Sequence, residues 1–363
     1  MKERDEMARI IHGGDIYHNR VEYDFSVNTN ALGIPKSVQT ALEQAVVDCV
    51  KYPNPEVDAL KAAIAKKDAV EEEWIVCGNG ASELFAAIVH AIKPKKTLIP
   101  VPSFFGYEWA AGMEEGEICF FQMKEEDGFC LTKDFLPELT EEVDLLFLAN
   151  PNNPVGNRID EALLEEILVY CKKNHIYVVL DECFLEFCEQ EAQGSYRSRI
   201  KDYPNLFLVR AFTKIFAIPG VRLGYLISAN EVQREKIKRQ LPEWNVSTFA
   251  QYAGVAAAKE TAYIEKTVRF LKEERAYMLA RIKEMREIYV NQSSETNFLL
   301  LKTKLPLYDS LLKNRILIRS CGNYRGLNEN FYRIAIRTRR ENEVLLKQIK
   351  AVCDIGFWDK SEG

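Results

Sequence analysis

From Asn54 onward the chain alternates short apolar runs with helix-length amphipathic stretches, and this alternation restricts the fold more than any other feature. Val57, Leu60 and Ile64 share one helical face at i, i+3/i+4 spacing and lead into the apolar run Trp74, Ile75 and Val76. Further runs at Thr97–Pro100, Leu145–Ala149, Ile176–Leu180, Leu206–Val209 and Gly224–Ile227 are separated by helix-like stretches such as Glu161–Lys173. Near-continuous apolar runs of that length belong to strands covered on both faces, so residues 50–245 predict an α/β domain with a largely parallel sheet between helices. After Trp244 the pattern changes to long charged helices, notably Tyr263 to about Glu287. Short strands at Phe298–Leu301, Ile316–Arg319 and Tyr332–Ile336 follow, then a closing helix from about Glu341. Residues 1–49 are rich in turn formers and hold too little apolar material for a core of their own. They are expected to join residues 246–363 in a smaller α+β domain, with a cleft between the two.

Composition narrows what that cleft binds. A net charge of −6 over 363 residues offers no electrostatic footprint for nucleic acid, so a small molecule is the expected partner. The nine cysteines are odd in number, scattered and without a CxxC pair, as in a reducing compartment, and a cytoplasmic protein is expected. The opening MKERDEMARIIHGG lacks the apolar core of a signal peptide, and no run of 18 apolar residues is available for a membrane span. His12, His18, His90 and His175 lack ligand spacing, so no metal is expected. A nicotinamide enzyme would need a GxGxxG turn, and Gly78-Asn-Gly80-Ala-Ser82 does not supply the third glycine.

The most informative stretch runs from Arg210 to Tyr225, Arg-Ala-Phe-Thr-Lys-Ile-Phe-Ala-Ile-Pro-Gly-Val-Arg-Leu-Gly-Tyr. Lys214 follows an apolar strand, and Arg222 lies eight residues on. An amine in a closed site can form an imine with an aldehyde, and a nearby arginine and hydroxyl, Arg222 and Thr213, can hold a phosphate. A lysine taken at random is a solvated surface charge; here the context argues otherwise. The stretch resembles the cofactor-lysine signature of the class I/II aminotransferases, fold-type I enzymes that bind pyridoxal 5'-phosphate. The resemblance covers nearly the whole chain and implies a mostly parallel seven-stranded sheet, an enzyme, and that cofactor held on Lys214.

Other segments fit the same family in the order it requires. Gly80, Ala81 and Ser82 form a glycine turn at a helix start, where free N–H groups attract an anion, and the resemblance gives them the cofactor phosphate; alone they could be an ordinary βα turn. Asp181 ends an apolar strand, and its family role is to pair with the pyridine nitrogen; alone it could be a cap or an ion-pair member. Asn153, in the turn Asn150-Pro-Asn-Asn-Pro, matches the contact to the ring oxygen, and Phe104 matches the aromatic that stacks on the ring. Tyr52 resembles the tyrosine that reaches the neighbouring subunit's site, which implies a homodimer. Arg333 matches the arginine that forks onto the substrate carboxylate, and the alternation Tyr332-Arg-Ile-Ala-Ile-Arg337 is expected to put Arg333 and Arg337 on one face of a strand.

Within the family, two branches fit best: the L-threonine O-3-phosphate decarboxylases of cobamide synthesis and the histidinol-phosphate aminotransferases. The segments His12-Gly-Gly and Phe25-Ser-Val-Asn-Thr-Asn30-Ala-Leu-Gly33 resemble the decarboxylase branch, as does Arg319-Ser-Cys-Gly-Asn-Tyr-Arg325. The resemblance makes His12, Asn30, Gly33, Asn153, Arg325, Arg333 and Arg337 the substrate-binding candidates, with His12, Asn30, Arg325 and Arg337 for its phosphate. Three positions depart from the family. Phe184 replaces a tyrosine, as in the decarboxylases; Ala211 replaces a hydroxyl residue that would help hold the phosphate; Ala31 replaces a proline. A protein of this fold that binds the cofactor without catalysis, such as a regulator, is the reading of another class. It would need an appended basic DNA-binding module, for which the chain has no spare length.

Overall fold

The structure is a computed structural model and describes residues 15–361. A two-residue strand, β1 (Tyr23–Asp24), precedes the seven strands of the central sheet: β2 (Ile75–Gly78), β3 (Lys96–Val101), β4 (Glu117–Gln122), β5 (Leu145–Ala149), β6 (Tyr177–Asp181), β7 (Leu206–Ala211) and β8 (Gly224–Ile227). Their order is β2-β8-β7-β6-β5-β3-β4, and β8 alone runs against its neighbours. The side chains of β5 show why such strands read as unbroken apolar runs. Leu145 and Phe147 enter one core with Phe85 and Ile88 of the helix Ala81–Ile92, while Leu146 and Leu148 enter another with Leu164, Ile167 and Leu168 of the helix Glu161–Lys173. Both faces are covered, so both sets of alternating positions must be apolar. The helix Glu161–Lys173 starts where Asp160 accepts a hydrogen bond from Leu163 N at 3.0 Å, with Lys172 and Lys173 in its last turn.

The edge strand β4 is the one the sequence reading did not resolve. Its ends, Glu117 and Gln122, are exposed and its middle is only partly buried, so it lacks the signature of a doubly covered strand. Parallel pairing brings the carboxyl ends of β5, β6 and β7 together, with Ala149 opposite Asp181 and Asp181 opposite Val209. Ligands of open α/β sheets sit outside this edge.

The C-terminal part carries a four-stranded antiparallel sheet ordered β12 (Arg319–Ser320), β13 (Phe331–Ala335), β10 (Phe298–Lys302) and β9 (Tyr289–Val290). The strand expected at Ile316–Arg319 is divided at Ile318. Its first half, β11 (Ile316–Leu317), pairs in parallel with β1, and its second half is β12, which pairs with β13. Arg319 thereby lies directly opposite Arg333. The N-terminal segment is tied to this part: Phe25 N donates to Leu317 O at 2.7 Å, Ala335 N donates to Phe25 O at 2.8 Å, and Asn297 donates to Asn28 O at 3.0 Å. It then crosses to the central sheet, where Asn30 N donates to Lys214 O at 3.0 Å. Among the described residues no helix is long and apolar enough to cross a membrane.

Candidate active site

A cavity of about 510 Å³ opens at the carboxyl edge of the sheet, between it and the C-terminal part. Lys214 reaches it from the short helix Phe212–Ile215 that follows β7, and its amine makes no ion pair among the described residues. Burial first, then the charges of Arg333 and Arg222, lowers that amine to about 8. At neutral pH about a tenth of it is therefore uncharged, against about one part in a few thousand for an ordinary lysine. Thr213 and Arg222 line the same wall, beside Ala81 and Ser82 at the start of the helix Ala81–Ile92. Gly80 caps that helix at φ +80°, and a Cβ there would lie 2.4 Å from Arg222 Nη2. The guanidinium thus occupies the space a side chain would fill, beside a helix N-terminus: an anion cradle of backbone N–H groups, two hydroxyls and one cation.

Asp181, at the end of β6, is buried in the floor of the cavity. Its Oδ2 accepts from Tyr107 Oη at 2.6 Å and its Oδ1 from Cys183 N at 2.9 Å. Burial pushes its carboxyl up, and the bonds from Cys183 and Tyr107 pull it back toward ionisation. Tyr107 is held by stacking on Phe147 (5.2 Å, 16°) and edge-to-face against Phe85 and Phe104. Phe104, Ala211 and Phe184 line the cavity, so no hydroxyl enters it at positions 184 and 211. Asn153 lines it too, from the turn after β5.

The opposite wall carries two arginines. Arg333, 4% exposed, donates to Asn153 Oδ1, to Ser26 O at 2.9 Å and to Tyr324 Oη at 3.3 Å. Arg319, 5% exposed, donates to Asn323 Oδ1 at 2.8 Å and lies over the Tyr324 ring at 5.0 Å. Among the described residues neither makes an ion pair with a carboxylate, and the Nε of each is buried without a hydrogen-bond partner. Two buried guanidiniums face one cavity without a carboxylate partner among the described residues, which suits the cavity to anionic ligands. The sequence reading did not single out Arg319. Its sequence signal was its place at the head of the segment Arg319-Ser-Cys-Gly-Asn-Tyr-Arg325.

Other expected site residues lie elsewhere. Asn30 is buried but spent: its amide donates to Ile215 O and Thr267 Oγ1, both at 2.8 Å, and its Oδ1 accepts from Leu32 N. Gly33 is at φ +77° and its carbonyl accepts from Tyr263 Oη. Arg325 faces a neighbouring groove and is forked onto Glu108 at 2.6 and 3.1 Å. Arg337 stands beyond the end of β13 rather than on its face, bonded to Glu341 at 3.3 Å. Each arginine is paired with a carboxylate, and neither lines the cavity that Arg333 faces. Tyr52 is exposed and its ring lies 4.7 Å from that of Trp244, tilted by 34°. His12 lies outside the described residues.

A buried amine of lowered basicity, an anion cradle and a sunken carboxylate around one cavity at the carboxyl edge of a mostly parallel sheet define a fold-type I pyridoxal-phosphate enzyme. The chain belongs to the family described as aminotransferase class I and II, whose model matches residues 21–349. Among curated proteins it is 37% identical to threonine-phosphate decarboxylase of Salmonella typhimurium over 333 residues, 91% of this chain and 90% of that one. Among solved structures, the histidinol-phosphate aminotransferase of Clostridium acetobutylicum superposes with a TM-score of 0.85 at 33% identity, over 92% of this chain and 99% of that one. L-threonine-O-3-phosphate decarboxylase of Porphyromonas gingivalis superposes at 0.81 and 26% identity, with the same coverage.

Proposed function

We propose that this chain removes the α-carboxylate of L-threonine O-3-phosphate as CO2, leaving an amino-alcohol phosphate. The observation that carries the reading is the pair Arg319 and Arg333, buried, free of carboxylates among the described residues, and facing the cavity that holds Lys214. O-phospho-threonine brings one carboxylate and one phosphate to two guanidiniums, and the fork of an arginine suits either. The 37% identity to a threonine-phosphate decarboxylase supports the same choice.

Ala81, Ser82, Thr213 and Arg222 would hold the phosphate of pyridoxal 5'-phosphate, Asp181 its ring nitrogen and Lys214 its aldehyde carbon. The donor set fits, because Gly80 leaves room for the Arg222 guanidinium beside the helix N-terminus. When bound, the cofactor supplies an electron sink for the pair left on the α-carbon. Asp181, oriented by the hydrogen bonds from Tyr107 and Cys183, would pair with the ring nitrogen and favour its protonated form. Arg333, braced by Asn153 and Ser26, would hold one substrate anion and Arg319 the other, which would fix the orientation of the substrate in the cavity. Lys214 can place a proton at the α-carbon, since burial lets its amine change charge near neutral pH. We further propose a cytoplasmic homodimer in which Tyr52 serves the neighbouring site, and a division into residues 50–245 and residues 1–49 with 246–363.

A second reading, amino transfer from histidinol phosphate, is favoured by the 0.85 superposition on an enzyme of that name. The test is to incubate the cofactor-loaded protein with O-phospho-L-threonine and, separately, with histidinol phosphate plus 2-oxoglutarate. CO2 release in the first without glutamate in the second is expected; glutamate without CO2 would replace the first reading by the second.

A further inference from the structure

We propose that Tyr324 is a positioning residue that sets Arg319 and Arg333 apart as two separate anion receivers, and so makes the site selective for an amino acid carrying a second anionic group. This rests on the function proposed above. Arg319 and Arg333 are directly opposed on β12 and β13, so two like charges share one small wall. Tyr324 meets both. The face of its ring lies 5.0 Å from Arg319 Cζ, and its hydroxyl oxygen accepts from Arg333 Nη1 at 3.3 Å. A neutral ring with a negative face and an acceptor oxygen attracts each cation from a different side.

Tyr324 is held from behind, without help from a ligand. It is 8% exposed, its N–H donates to Cys321 O at 2.9 Å, and Leu327 N donates back to its carbonyl at 3.0 Å. The next residue moors the loop to the far side of the cleft: Arg325 forks onto Glu108 and lies 4.1 Å over the Phe120 ring. Glu108 belongs to the same short helix, Gly106–Ala111, as Tyr107, which holds Asp181. The loop that orients the arginines is thus fixed to the element that orients the carboxylate. Replacing the ring lets Arg319 swing without changing what Asp181 or Lys214 touch. The loss should fall on the second anion of the ligand rather than on amino acids in general.

The experiment uses the full chain loaded with pyridoxal phosphate and reads the dissociation constants of O-phospho-L-threonine and L-threonine from the change in cofactor absorption. Tyr324→Leu should weaken O-phospho-L-threonine about 30-fold, the worth of a desolvated cation–π contact. Its affinity for L-threonine should change by less than about threefold, and kcat should fall far less than KM rises. Tyr324→Phe keeps the ring and loses one long hydrogen bond, so a loss of about threefold is expected. Equal losses for the two ligands, or none in Tyr324→Leu, would overturn the inference; if that variant does not fold, Tyr324→Met reads the same ratio. A wild-type protein that does not prefer O-phospho-L-threonine to L-threonine sinks the functional reading itself, and selectivity by Tyr324 with it.

Discussion

Glu182 follows Asp181 in the chain, yet it lines no part of the cavity and is nearly inaccessible. Its carboxylate accepts from Ser195 Oγ at 2.7 Å and lies 3.8 Å from Arg210 Nε. Arg210 also pairs with Asp68 at 3.2 Å and with Glu186 and Glu191, and it shares Asp68 with Lys67. Three buried or half-buried cations, Lys67, Arg197 and Arg210, thus face four acids, Asp68, Glu182, Glu186 and Glu191, and one acid is in excess. Burial, opposed by Arg210 and Ser195, raises Glu182 to about 7 from the usual 4.5. A folded pKa above the unfolded one gives stability that is complete below pH 4.5 and is lost as pH rises through 7. Glu182→Gln cannot ionise and should escape this loss. Between pH 5 and pH 8 the melting temperature of the wild type should therefore fall more than that of the variant, both measured with cofactor bound. Parallel curves would mean that Glu182 stays ionised in the fold.

At the scale of elements, the site depends on turns that packing leaves little freedom. The turn from Asn150 to Gly156 holds Asn153 against Arg333, and Gly156 closes it at φ +92°. A Cβ at that position would lie 2.2 Å from Ser294 Oγ and 2.7 Å from Ser294 Cβ. Gly156→Ala should therefore cost about 1 kcal/mol for the left-handed backbone alone, and more for the displaced Ser294. The shift should move Asn153 off Arg333, raising KM for the substrate while the visible spectrum of the bound cofactor stays near that of the wild type. An unchanged KM would show that the turn absorbs the methyl elsewhere. This level also explains what the sequence could and could not reveal. Doubly covered strands such as Leu145–Ala149 were legible because both faces demand apolar residues; Lys214, Asp181 and Asn153 were named through the family resemblance, and all three line the cavity. Arg319 was not, because the division of its strand at Ile318 follows from pairing with β1, some 300 residues away in sequence. Arg325 and Arg337 were named by motif, which records residue types and not partners. Glu108, the partner of Arg325, emerges only from the packed structure, whereas Glu341 stands four residues after Arg337 and was readable as an i,i+4 pair.

Over the whole molecule, one apolar face remains to be accounted for. Val46 and Val47 at the end of the helix Lys36–Asp48 stand exposed, as do Val50 and Tyr52, which share a shallow groove with Trp244 and Phe249, the Tyr52 ring tilted against Trp244. Val47 and Val50 are 76% and 86% exposed, which is costly for isolated valines but ordinary where a second copy covers them. The helix beneath is firmly seated, since Val38, Ala41 and Ala45 on its other face are buried and it packs along the helix Thr248–Ala257. A rigid, apolar, self-adjacent patch is what a two-fold interface requires, because the same surface must serve both partners. If Tyr52 completes the neighbour's site, association and catalysis must fail together. Val47→Glu combined with Val50→Glu should shift the sedimentation of the loaded protein from a dimer to a single 41.7 kDa chain, with most of the activity lost. Tyr52→Phe should leave the dimer intact while weakening the hold on the cofactor. A wild-type protein that sediments as one chain at full activity would detach the site from the interface, and Tyr52 would then need another role.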